Sequence, residues 1–281
     1  MSLRQSHFVP PVPYLLAAHH GMLNGPDVDT TRATSSASQL EGLISGELDL
    51  AVTAIDNLFE WTKAGADLRL VAQVEKTTPL GLYARDSAES LADLAGRRFA
   101  VDALSNGFAL AARRVLQDAG VEVHYVEVGG VRERFDALVA GDADATLLGP
   151  PIDELAVAAG MRCLAAVNSL LPDFPGQGLV VRAPLVGSEE LHDYLRALVR
   201  GAEYCRSLSA DDGVAFLTQC GFSTAAAAAW EARPDTLEVS SSGLAVLTDI
   251  RRSLGMLPQG IELAALCDAG PLRRATETVE R

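Results

Sequence analysis

The sequence predicts an α/β protein of two lobes, each a mostly parallel sheet flanked by helices, joined by two hinge crossings. Three observations predict it. Apolar runs of strand length alternate with helical periodicity from residue 3 to residue 182. One plan, helix, Gly-x-x-Asp, strand, then helix, occurs twice, in QLEGLISGELDLAVTAIDNL (39–58) and RFDALVAGDADATLLGPPIDEL (134–155). The runs LGLY (80–83) and LVVR (179–182) flank the second copy, where a chain would pass between lobes. These crossings divide the chain into 1–83 with 182–281 as one lobe and 84–181 as the other.

Each element follows from local chemistry. Residues 3–9 read as a strand, which Pro10, Pro11 and Pro13 end, and 14–20 as a helix closed by Gly21. Residues 28–32 are a second strand. Ser35, Ser36 and Ser38 stand where a helix begins, with Glu41 placed for a capping box from Ser38. Leu40, Leu43 and Ile44 share one face of that helix, and Gly46 suits the left-handed residue after it. Leu50, Ala51 and Val52 read as a strand covered on both faces. Asp56 suits the N-cap of the next helix. Strands follow at 68–74 and 80–83, and a short helix at 87–94.

The second copy repeats the order. A strand at 98–101 leads through the loop Asp102 to Gly107 into a helix at 108–119. Then come a strand at 121–128, the Gly129-Gly130 loop, a helix at 131–140, a strand at 145–148, a helix at 152–159 and a strand at 163–167. Leu138 matches Leu43, Gly141 matches Gly46, Asp144 matches Asp49, and Asp153 lies near the place of Asp56. After the loop 172–178 and the strand 179–182, the chain reads helical at 189–207, 211–219, 225–232 and 242–254.

Composition narrows the function. The 281 residues carry 37 acidic and 23 basic side chains, a formal charge of −14, so nucleic acid would be repelled. A small anion is still acceptable, because helix N-termini bind anions under any net charge. No apolar run reaches the roughly 20 residues of a membrane span. Cys163, Cys205, Cys220 and Cys267 have no CxxC or zinc spacing and read as inert thiols, with one disulfide open if the protein is exported. The start MSLRQSHFVP lacks the apolar core of a signal peptide. Two expectations follow: an extracytoplasmic protein whose leader is absent from this sequence, or a cytoplasmic one.

PYLLAAHHGMLNG, SSASQLEGLISGELDLAV, LAGRRFAVDALSNGFALAARRVL and ALVAGDADATLLGPP together resemble type 2 periplasmic solute-binding proteins, in their NMT1/THI5-like group. The resemblance covers residues 3–185 and, more weakly, the helical tail. It implies the two-lobed periplasmic-binding-protein type 2 fold and a receptor that binds a sulfonate, carboxylate or pyrimidine-like solute and closes on it. It also implies an ABC transporter permease as partner if the protein is exported. A monomer without cofactor or metal is expected. Enzymes share this fold. Thiamine pyrimidine synthases carry a Cys-rich segment that this chain lacks. Aromatic desulfinases use a Cys near the first loop, where this chain has Pro10, Pro11 and Tyr14. A decarboxylase or hydrolase of a small aromatic acid, or a cytosolic sensor, remains the alternative.

Candidate ligand contacts sit in the loops that such a cleft would use. Tyr14 offers a stacking ring, or packs on the sheet. Ser35 and Ser36 offer hydroxyl and N–H donors, or cap a helix. Thr53 and Asp56 leave the first copy's strand, where Asp56 would pair with an amino group or serve as a cap. In the second copy, Ser105 and Asn106 open a helix toward an anion, beside Asp102. Gly130 permits close backbone approach, and Arg132 would reach a carboxylate or sulfonate, or be solvated. Gly149 and Pro150 would form a wall. His19 and His20 end a helix, His7 and His124 lie in strands, and His192 lies on a solvated helix. No HExxH, GxSxG, P-loop or GxGxxG motif occurs, so no catalytic residue is assigned.

Overall fold

Two five-stranded sheets organise the chain, and the computed structural model describes residues 2–23, 27–85 and 88–279. Strands β1 (Leu3–His7), β2 (Val28–Arg32), β3 (Leu50–Ala54) and β4 (Leu68–Gln73) belong to the first sheet. Strands β5 (Gly81–Ala84), β6 (Arg98–Val101), β7 (His124–Glu127), β8 (Ala145–Leu148) and β9 (Arg162–Ala166) form the second. Strand β10 (Gln177–Arg182) returns to the first. The orders are β2-β1-β3-β10-β4 and β7-β6-β8-β5-β9.

Helices α1 (Val12–His19), α2 (Ser36–Ser45) and α3 (Asn57–Lys63) belong to the first copy. The second copy holds α4 (Gly107–Asp118), α5 (Val131–Ala140), α6 (Ile152–Ala158) and the single turn α7 (Val167–Leu170). The tail contributes α8 (Glu189–Ser207), α9 (Ala210–Leu217), α10 (Ala226–Glu231), α11 (Ser241–Ser253) and α12 (Gly270–Val279).

Each sheet is parallel except for one strand. β10 runs antiparallel to β3 and β4, and β5 runs antiparallel to β8 and β9. Each reversed strand is the first one after the chain passes from one sheet to the other. This corrects the reading of LGLY and LVVR as crossings. Both are strands inside a sheet, and the passages are residues 74–80 and 171–176. Residues 81–84 therefore belong with the second sheet and 177–181 with the first. The passages lie side by side: the Gly176 N–H donates to Lys76 O at 3.2 Å and Thr77 Oγ1 donates to Phe174 O at 3.0 Å.

Several local expectations also shift. Helix α1 begins at Val12, because Pro13 fits a first turn whose N–H groups have no intrahelical partner. The capping box at α2 joins Ser35 to Ser38, not Ser38 to Glu41. The helix expected at 87–94 is a 3-10 turn, Leu91–Leu94, capped by Ser90 and Asp93; Ser87 lies outside the described residues. Asp56 caps nothing with its side chain.

The repeat has a chemical basis. Arg4 donates its backbone N–H and Nε to Asp49 Oδ2 at 3.0 and 2.8 Å, and Nη2 to Oδ1 at 2.9 Å. Arg98 treats Asp144 alike, at 3.0, 3.1 and 3.0 Å. Each pair ties the first strand of a copy to the strand after Gly-x-x-Asp. Gly46 and Gly141, with φ of 78° and 81°, close the preceding helices in the left-handed region. One hydrophobic cluster runs from Leu43 and Phe59 in the first copy to Phe99 and Leu110 in the second, with Leu247 and Ile250 of α11 between the lobes' side chains in it.

The Asp49 side chain is 1% exposed and that of Asp144 23%. Burial pushes Asp49 up, but the hydrogen bonds from Arg4 outweigh it and hold the carboxyl low; the Arg98 hydrogen bond does the same for Asp144. A depressed carboxyl stabilises the fold above its unfolded pKa and loses that contribution as pH falls through the folded value. Urea unfolding at pH 7 should show Asp49→Ala less stable by about 2 kcal/mol, within the range for hydrogen bonds to a charged group, and Asp144→Ala by about 1 kcal/mol. Both differences should shrink below about pH 4; differences that persist there would contradict the assignment.

Candidate functional site

The carboxyl ends of the parallel strands of both sheets face one cleft, as open α/β sheets arrange their ligand loops. Its cavity volume is about 70 Å³. Phe8 to Val12 after β1, Ala54 at the end of β3 and Asn57 after it, and Val74 and Glu75 after β4 line it from the first sheet. Asp102, Asn106 and Phe108 after β6, Gly149 and Pro150 after β8, and Val131 and Arg134 of α5 line it from the second.

The lobes touch directly around this cleft. The Ser36 N–H donates to Asp102 Oδ2 at 3.0 Å, the Gly107 N–H to Asn57 Oδ1 at 3.3 Å, and the Gly130 N–H to Thr34 O at 2.7 Å. Arg32 pairs with Glu133 at 2.9 Å. At Gly107 a Cβ would stand 2.7 Å from the Asp56 Cβ, so only glycine permits this approach.

Arg134 dominates the electrostatics. Its residue is 6% exposed, and it lines the cleft. Nε and Nη2 donate to Leu147 O at 3.2 Å each, and Nη1 to Gly129 O at 3.2 Å. Backbone carbonyls thus take three of its five N–H bonds, and no carboxylate lies within ion-pair distance among the described residues. Burial pushes its pKa down to about 10, with Asp102 and Glu133 opposing. It stays a cation at neutral pH. Arg233 adds a second positive group at the rim, 4.1 Å over the Trp230 ring.

Glu75 is the cleft's unusual acid. Thr78 Oγ1 donates to its Oε2 at 2.5 Å, and the Gln177 N–H and Nε2 donate to the same oxygen at 3.2 and 3.4 Å. Burial pushes it up to about 7 against these bonds.

The sequence-selected residues divide. Asp102, Asn106, Gly149 and Pro150 line the cleft. Asn106 caps α4 through the Ala109 N–H and donates to Asp102 at 2.5 Å. Ser36 and Gly130 use their N–H groups between the lobes, and Ser35 caps α2. Thr53 is buried and accepts from Asn57 Nδ2 at 2.8 Å. Asp56 is buried against Arg251, whose Nε and Nη2 donate to it at 2.9 and 2.6 Å, so it has no charge to offer a ligand. Ser105 gives its carbonyl to Arg251 at 2.7 Å. Tyr14 packs on the first lobe's core, 6.2 Å from the His7 ring, outside the cleft lining. Arg132 is on the surface, paired with Asp136 at 3.4 Å and stacked on Phe135.

Arg134, Glu75, Gln177, Arg233, Asn57 and Thr78 are the polar cleft groups that the sequence analysis did not select. Arg134 had a signal: it shares the helical stripe Val131, Arg134, Phe135 and Leu138, so it points inward where Arg132 does not. Among the described residues no group of three or more His, Cys, Asp or Glu could hold a metal ion. All four cysteines are free, and none lines the cleft.

Glu75 yields a pH prediction. Between its unfolded value of 4.5 and its folded value of about 7, the native protein holds a proton that the unfolded chain has released. Stability therefore falls as pH rises through that window. From pH 5 to 8 the wild-type protein should lose on the order of 2 kcal/mol relative to Glu75→Gln, after allowing for partial exposure of the side chain. Parallel pH profiles for the two proteins would refute the assignment.

Comparison with known proteins agrees with this architecture. Residues 12–208 match the family described as NMT1/THI5 like. None of the curated proteins matches the chain. The structure is similar to the ligand-binding component of an ABC-type import system from Staphylococcus aureus with zinc bound (13% identity, 98% of this chain and 99% of that one, TM-score 0.81). It is similar to the alkanesulfonate-binding protein SsuA from Xanthomonas axonopodis pv. citri bound to MOPS (20% identity, 95% and 98% covered, TM-score 0.75). The desulfurization enzyme DSZB has the same fold (16% identity, 100% and 99% covered, TM-score 0.71). The fold is that of the type 2 periplasmic binding proteins, and the chain belongs to the NMT1/THI5-like family.

Proposed function

We propose that this protein is the solute-binding component of an ABC-type importer, and that it takes a small organic anion between its lobes. One observation carries the reading: a buried arginine in the interlobe cleft with no carboxylate at ion-pair distance among the described residues. A buried cation is costly unless paired, so an incoming sulfonate or carboxylate supplies the missing charge. Phe8, Phe108, Phe222 and the cleft prolines suit an apolar body on that solute.

Closure follows from where the contacts sit. Arg134 comes from the second lobe, while Phe8 and Asn57 come from the first. A solute touching both stabilises the closed arrangement over any open one, which is a population shift. The hinge is the paired passage at 74–80 and 171–176. The rest of the reading is a permease partner, an extracytoplasmic location and a monomeric receptor. The desulfurization enzyme of the same fold supplies the rival. The four cysteines lie outside the cleft, so a Cys nucleophile finds no place there. That observation favours the receptor.

A thermal-shift panel of alkanesulfonates, aromatic carboxylates, nitrate and neutral aminopyrimidines tests this. An acid at a hundredfold excess over its Kd should stabilise the protein by about 2.7 kcal/mol and be recovered unchanged. Arg134→Gln should weaken that acid at least about tenfold, with native circular dichroism, while Arg132→Gln should leave it unaltered. Stabilisation by neutral compounds alone, or conversion of the acid, would overturn the proposal.

A further inference from the structure

Glu75 carries one atom that the fold does not use. Its Oε2 takes the bonds from Thr78, the Gln177 N–H and the Gln177 side-chain amide. Its Oε1 has no partner among the described residues, and it is not one of the sealed, unpartnered atoms. Glu75 lines the cleft and is only partly buried, which leaves this oxygen for a solute. No cation in the cleft is paired with it: Arg134 is held by carbonyls, Arg233 lies on Trp230, and the neighbouring Lys76 reaches Asp235 at 3.9 Å. The other cleft acid, Asp102, is occupied by Ser36 and Asn106.

The cleft therefore offers two unlike unmet groups. Arg134 has N–H bonds without acceptors. Glu75 Oε1, in the ionised carboxyl that prevails above about pH 7, is an acceptor without a donor. A solute that covers Oε1 with an apolar group strips its water and leaves a buried acceptor unsatisfied, a penalty that a site built for hydrogen bonding uses to reject the wrong ligand. Resting on the anion-binding reading above, we infer that the solute is an acid that also carries an amino or other N–H group. Its acid meets Arg134, and its N–H group meets Glu75 Oε1. Glu75 is then a specificity-determining residue. It stands on one interlobe passage and is bonded to Gln177, the first residue after the other. The donor end of the solute is thus read at the hinge itself.

Matched pairs of acids test this by calorimetry at about pH 8, where Glu75 is ionised: 4-aminobenzenesulfonate against benzenesulfonate, 4-aminobenzoate against benzoate, and 3-aminopropanesulfonate against propanesulfonate. In at least one pair the amino member should bind about tenfold tighter or better. In Glu75→Gln, which keeps a polar side chain of the same size, the two members should come within about twofold of each other. Equal affinities within every pair that binds, or a preference that survives in Glu75→Gln, would overturn the inference and leave the anion-binding reading intact. Binding by no acid at all would remove that reading and this inference with it. The wild-type pairs decide the matter even if Glu75→Gln does not fold.

Discussion

Arg134 is the constraint on which the cleft depends. Its guanidinium is held by the carbonyls of Leu147 and Gly129, the end of β8 and the loop before α5. Secondary structure fixes the charge in place, so it does not swing with a flexible chain. The acids that raise its pKa, Asp102 and Glu133, are both engaged by the first lobe. Asp102 accepts from the Ser36 N–H and Glu133 pairs with Arg32. Meeting of the lobes thus holds both acids on first-lobe partners, outside ion-pair distance of Arg134, and leaves its guanidinium without a direct ionic partner for a solute to supply. Electrostatics and closure are one arrangement.

A second buried pair determines how the lobes meet. Arg251 of α11 is fully buried and binds Asp56, Glu60 and the Ser105 carbonyl. It joins the β3–α3 connection and helix α3 to the loop after β6, two regions distant in sequence. Next to it, Gly107 packs against Asp56 without a Cβ in between. The helical tail therefore does more than cover the first sheet. Through α11 it reaches the contact between the lobes, and removal of Arg251 would leave Asp56 as an uncompensated buried charge.

Much of the fold was legible because the repeat is enforced by local chemistry. Gly46 and Gly141 occupy left-handed positions that few residues tolerate, and Asp49 and Asp144 each receive an arginine from the neighbouring strand. Those requirements leave matching letters in the sequence. The passages were displaced because a reversed strand is as apolar as a crossing is expected to be. The site was legible only in part. Loop positions such as Asp102, Asn106, Gly149 and Pro150 follow from strand ends. Arg134 and Arg251 both sit in apolar helical stripes, Arg251 beside Leu247 and Ile250, a signal that periodicity carries once charged residues are counted in it. Glu75 left no such trace. Its partners, Thr78 and Gln177, meet it only because two passages far apart in sequence lie side by side.

The most direct measurement is a crystal structure of the protein with the acid that stabilises it most. The account predicts the acid group within about 3 Å of the Arg134 Nη atoms, the solute enclosed by both lobes, and the carbonyls of Leu147 and Gly129 still bound to the guanidinium. A solute seated elsewhere, or one whose acid group rests on Arg233 while Arg134 keeps only its carbonyls, would contradict it.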